Sequence, residues 1–127
     1  MILNAIYSRL SGSSELAAVV GDKIYAVSVP EEDIAPAIAY NAVSVPFQTK
    51  YGYADSTDQV EIMILSKEYD QGAYLANETA KLFYSFGYNS DGVVAMHSKV
   101  DGIARTYNDL YKEYLFIINI TLKSKIT

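Results

Sequence analysis

The sequence predicts an α+β fold: a mostly antiparallel sheet of about four strands, a long helix packed on one face, and short N-terminal helices. Three observations carry this reading. The run Val60-Glu61-Ile62-Met63-Ile64-Leu65 is dense in β-branched and aliphatic residues, is too short for a stand-alone helix, and is bounded by polar residues. It reads as a strand of a sheet interior. After Lys67–Gly72 the period changes: Ala73, Ala76, Ala80 and Phe83 recur at three- and four-residue steps, with Leu75, Leu82 and Phe86 alongside. That is an amphipathic helix of about sixteen residues. Its alanine stripe lets it lie close to a sheet, and Gly87 stands where a C-terminal cap would sit. Near the C-terminus, Tyr114, Phe116, Ile118, Ile120 and Leu122 alternate with Leu115, Ile117, Asn119 and Thr121. The second set is only half polar, which points to partial cover, for instance by another subunit.

The remaining elements follow in chain order. Ile2, Leu3, Ile6 and Leu10 share one face of a short helix stopped by Ser11-Gly12. A second short helix starts at Ser13 or Ser14, both good N-cap residues, and runs to Gly21. Asp22–Val27 is a short extended piece, and Val29–Pro36 is a loop with two prolines and three adjacent acids. Ala37–Ser44 is the first full strand, placed after a proline as strands entering a sheet edge often are. Residues 45–57 are polar, aromatic and glycine-bearing, and form either a long loop or a β-hairpin arm; a loop of that length is uncommon unless it has a task. Asn89-Ser90-Asp91-Gly92 signals a turn, Val93–Val100 a strand closed by Asp101-Gly102, and Ile103–Lys112 either a short strand or a loop. The length of 127 residues gives one domain, 1–127, and no internal repeat interrupts it.

Composition narrows the function. Half the residues are hydrophobic and 20% are charged, the opposite of a disordered chain. The net charge is −5 and no Lys/Arg run exceeds one residue, which argues against specific binding to phosphate backbones. An acidic surface past which DNA slides without sticking remains compatible with it. There are no cysteines, hence no disulfide and no thiolate metal site. The N-terminus lacks the basic n-region of a signal peptide, and no apolar run is long enough to cross a bilayer.

No constellation for catalysis emerges, and no cofactor is expected. His97 is the single histidine, in phase with Val93, Ala95 and Lys99, with no orienting carboxylate identifiable. It reads as a surface or edge residue, and His97→Ala is expected to leave function intact. Glu31-Glu32-Asp33 lacks the alternating ligands of a calcium loop, and Asp55, Asp58 and Glu61 share that fault. The seven glycines are dispersed and form no phosphate loop. Asn77-Glu78-Thr79 and Asn119-Ile120-Thr121 match glycosylation acceptors by chance, inside regular structure. The compositional oddity is twelve tyrosines. Tyrosine offers a large apolar surface with a polar tip and is enriched at protein contacts. Phe47, Tyr51 and Tyr53 on the residue 45–57 segment, and Tyr107 and Tyr111 before the last strand, are the candidate interface residues; the bland alternative is that they decorate strands and rims.

The order of elements resembles a known family. Leu3-Asn4-Ala5-Ile6-Tyr7-Ser8-Arg9-Leu10 resembles its first helix, and Leu16-Ala17-Ala18-Val19-Val20-Gly21-Asp22-Lys23-Ile24-Tyr25 is the most specific stretch. A proline-containing loop, a strand like Pro36–Tyr40, the strand Val60–Leu65, a helix with small residues and a final strand complete the pattern over almost the whole chain. This resembles the tail terminator, or tail completion, proteins of bacteriophages with long non-contractile tails. The tyrosine-rich segment has no counterpart in that pattern. The resemblance implies a homo-oligomeric ring, usually of six subunits, that caps the tail tube, ends tube-protein polymerisation and docks to the head connector, with DNA passing through its lumen. It implies a virion location, at the tail or neck, for a protein made in the bacterial cytoplasm, with no membrane partner and no catalytic residues. Alternatives are another head–tail adaptor of the neck, a small ferredoxin-like ligand-binding domain with an apolar pocket, and an enzyme using His97.

Overall fold

A computed structural model describes residues 2–27, 35–48, 54–84, 89–90, 93–110 and 112–126. In chain order they form helices α1 (Ile2–Ser11) and α2 (Ser14–Val20), strands β1 (Ile24–Ala26), β2 (Ala37–Gln48) and β3 (Ala54–Ser66), helix α3 (Tyr69–Leu82), and strands β4 (Asn89–Ser90), β5 (Val93–Asn108) and β6 (Glu113–Ile126). The strands make one mixed sheet in the order β1-β2-β3-β6-β5-β4. All described pairings are antiparallel except β1 with β2. The fold is thus the expected α+β class. Four long strands carry the sheet, and the three-residue β1 and two-residue β4 extend its flanks.

The alternation of each long strand sorts its side chains onto two faces. One face carries Ile38, Tyr40, Val60, Ile62, Ile64, Phe116, Ile118, Ile120 and Leu122, all buried. Helices α1 and α3 pack across it. Ile6 and Leu10 of α1, Leu16 and Val20 of α2, and Leu75, Ala76, Ala80 and Phe83 at α3 close the core from the other side. Tight approach of α3 depends on Gly72: a Cβ there would lie 2.4 Å from Cε2 of Phe116. The α2 start is a side-chain cap, with Leu16 N–H donating to Ser13 Oγ, and Gly21 ends the helix at φ 62, a conformation that suits glycine.

Several elements differ from expectation. Helix α3 ends at Leu82 rather than Phe86, and tertiary donors satisfy the carbonyls at that end. Arg9 Nε–H of α1 donates to Leu82 O at 2.9 Å, and the buried Ser98 hydroxyl of β5 donates to Phe83 O. The expected local cap at Gly87 lies outside the described residues. Its N-terminus carries no side-chain cap on Glu68; instead the buried Ser66 hydroxyl accepts Glu68 N–H and holds the turn out of β3.

Asp101-Gly102 does not close a strand. β5 continues through it to Asn108, with a bulge between Val100 and Gly102. The extra residue, Asp101, accepts a hydrogen bond from the Thr121 hydroxyl of β6, so the Asp-Gly pair is absorbed as a bulge rather than used as a turn. A second bulge between Ala95 and His97 shifts the phase, so His97 shares register parity with Lys99 but not with Val93 or Ala95. The strand after Pro36 is not an edge at its start, since Ile38–Tyr40 pair with Ile24–Ala26 on one side and with β3 on the other. In the 45–57 segment β2 and β3 stay paired out to Gln48 and Ala54, and β3 also pairs with β6 as far as Ala54, so this arm is the end of the sheet rather than a projection from it. Its tip, 49–53, lies outside the described residues, as do the 28–34 loop and Asp91-Gly92.

Candidate assembly interface

The second face of the sheet has no helix on it among the described residues, and its two halves differ. Towards the β2–β3 arm, Gln59, Glu61 and Asn119 are exposed, and Val43 is 62% exposed. Towards the other end, Met63, Leu65, Leu115 and Ile117 lie side by side in register and are only half-buried. On β2 the small Ala37 and Ala39, opposite Leu65 and Met63, are buried beside them. A half-open apolar surface on one end of a sheet is the kind of patch that marks a contact with another protein.

Beyond this patch the β5–β6 turn rises and forms a cleft of about 440 Å³ lined by Leu65, Leu115, Thr106, Leu110, Asp109 and Glu113, among others. Asn108 Oδ1 accepts Leu110 N–H at 2.9 Å, which fixes the turn, and Lys112 takes a left-handed conformation at φ 54. The turn holds Leu110 out at 80% exposure. Behind it stands an aromatic cluster. Tyr107 packs on Tyr114 with ring centres 4.8 Å apart, and Tyr69 of α3 meets Tyr114 and Phe116, each at 5.5 Å. Such a cluster stiffens this end of the sheet while leaving Tyr69 and Tyr107 each more than 40% exposed.

The free edges of the sheet are blunted. Ile38 N–H and Tyr40 C=O bond towards β1, so alternate residues of β2 direct their backbone groups outwards beyond it. Of the next such positions, 42, 44 and 46, Ala42 N–H is taken by Asn41 Oδ1 and Pro46 has no N–H to give. The outer edge of β5 is broken by its two bulges. Bulges and prolines are devices by which sheets resist edge-to-edge pairing.

The expected interface residues separate accordingly. Tyr107 lies beside the cleft. Phe47 is in β2, opposite Asp55 near the tip of the arm, at the other end of the sheet. Tyr51, Tyr53 and Tyr111 lie outside the described residues. Sequence reasoning picked out Leu115 and Ile117 as a half-polar face, but missed Met63, Leu65, Tyr69 and Leu110. Met63 and Leu65 sit in a run that reads as wholly internal, and only the register with Ile117 and Leu115 shows that their face lacks a helix.

Among the described residues, no group of three or more His, Cys, Asp or Glu side chains is placed to hold a metal ion, and no helix is long and apolar enough to cross a membrane. No family model matches the sequence, and no curated protein matches it. The fold has a solved counterpart. A chain in the virion of a native gene transfer agent (GTA) particle superposes with a TM-score of 0.82, at 15% identity, over 96% of this chain and 92% of that one. The two chains share a fold over nearly their full lengths.

Proposed function

We propose that this chain is a structural virion protein of the tail terminator type. Copies of it form a ring, six in the family its element order resembles, which caps the tail tube, ends tube polymerisation and joins the tail to the head connector. The observation that carries this reading is the shared fold with a chain of a phage-like virion, end to end in both proteins. Two features fit it: an open, half-apolar sheet face beside blunted edges, and a net charge of −5 that suits a lumen past which DNA moves. The role needs no catalysis, cofactor or metal, only surfaces that bind other copies, the tube protein and the neck.

The test is particle assembly without this chain, followed by add-back. A terminator leaves tails of uncontrolled length, and the purified protein restores the wild-type length. Tails of normal length that fail to join heads would instead identify a different ring of the neck. Changing Tyr51→Ser with Tyr53→Ser probes the arm: the reading expects an unchanged melting temperature with lost tube capping, whereas normal capping with a less stable monomer makes the arm purely structural.

A further inference from the structure

The arm and the cleft stand at opposite ends of one sheet. The strands of the arm stop at Gln48 and Ala54, within the sheet, while the cleft is built on Leu65, Leu115 and the β5–β6 turn. Strand β3 connects the two ends with thirteen residues, a span of about 40 Å. A chain therefore cannot place its own arm tip in its own cleft. A second copy can.

We propose that the cleft receives the hairpin tip of a second copy of this chain, a deepening that rests on the ring reading above. The chemistries match. The tip sequence Gln48-Thr49-Lys50-Tyr51-Gly52-Tyr53 supplies aromatic side chains and one cation. The cleft offers an apolar floor of Leu65 and Leu115, an exposed Leu110 as wall, and a rim carrying Asp109 and Glu113. Tyrosine suits such a site because its ring fills an apolar slot while its hydroxyl stays at the wet rim. Knob and socket lie on different surfaces, so the contact is heterologous: each copy gives one tip and receives one. Heterologous contacts close into rings when the rotation between copies allows it, whereas a two-fold contact stops at a dimer.

The absence of cysteine makes a clean cross-linking test possible. The full-length double variant Tyr51→Cys with Leu110→Cys is treated with a short bis-maleimide, both as purified protein and on assembled tails. The expected result is a denaturant-resistant ladder of dimers, trimers and higher species, with each single variant giving no ladder. A ladder that stops at dimers, a cross-link confined within one chain, or a cross-link to the tube protein overturns the proposal. No cross-link in a sample whose native mass shows rings also overturns it, and leaves the ring reading standing. Wild-type protein that stays monomeric both alone and on tails sinks the ring reading and this one together. As a second arm, Lys50→Glu and Glu113→Lys should each weaken association about two- to fivefold, and the double reversal should restore it, as for a rim ion pair. Equal loss in the double variant contradicts the pairing.

Discussion

The two faces of the sheet obey the same alternation and do opposite things. On the helix-covered face, Ile62, Ile64, Ile118 and Ile120 are fully buried and their energy is spent inside the molecule. On the other, the neighbouring residues Met63, Leu65, Leu115 and Ile117 are half-buried, with no helix over them among the described residues. Side chains one residue apart in the same strand therefore answer different questions. Substitution on the first face should change whether the chain folds. Substitution on the second should change what the folded chain assembles into.

The largest effect should come from Phe116, which is 1% exposed beneath α3. Phe116→Ala should cost about 3–5 kcal/mol, read as a lower denaturant midpoint, because it removes a large buried ring and leaves a cavity. A loss below 1 kcal/mol would mean that the covered face is not the core. Next come the close approaches of α3. Gly72→Ala drives a Cβ into Phe116, and Ala80→Leu enlarges a residue 1% exposed against the sheet. Each should cost about 1–3 kcal/mol of stability by overpacking. A neutral or stabilising Ala80→Leu would show that the contact face of α3 has been misassigned.

A smaller effect appears at alkaline pH. Burial, aided by the neighbouring Tyr7, pushes the Tyr40 phenol above its ordinary value. The fold thus favours the neutral phenol, and that contribution is complete below about pH 10, where the unfolded chain starts to ionise. It is lost as pH rises through the raised folded value. Tyr40→Phe should therefore flatten the fall in stability above about pH 10 and leave the neutral range nearly unchanged; an unaltered alkaline slope contradicts this. The smallest effect belongs to Thr79, whose buried hydroxyl oxygen has no hydrogen-bond partner among the described residues. Thr79→Val keeps the shape and should be neutral or stabilising by up to about 1 kcal/mol in thermal melts. A clear destabilisation would reveal a partner for the hydroxyl.

Much of the covered face was legible from sequence because local patterns and tertiary packing agree there. The alternation of Tyr114–Leu122, the stripe of Ala76 and Ala80, and the Ser13 cap each have one structural solution. Legibility failed where a distant group decides. The carbonyls at the end of α3 are capped by Arg9 and Ser98, from α1 and β5, and nothing in residues 80–87 announces them. Asp101-Gly102 carries a turn signature that a hydroxyl on the next strand converts into a bulge. The cleft suffers most from this. Leu65 and Leu110 are far apart in the chain, and only the β3–β6–β5 order brings them to the same end of the sheet.

The central claim is that the covered face makes the fold and the open face makes the assembly. It is tested most directly on one variant, Met63→Gln with Ile117→Thr, measured for melting temperature and native mass in the same sample. Both residues stay in strands β3 and β6, and both point away from the helices. The expected result is a melting temperature within a few degrees of wild type together with weaker self-association than wild type shows in the same buffer. Self-association equal to that of wild type, or a collapse of the melting temperature, would contradict it.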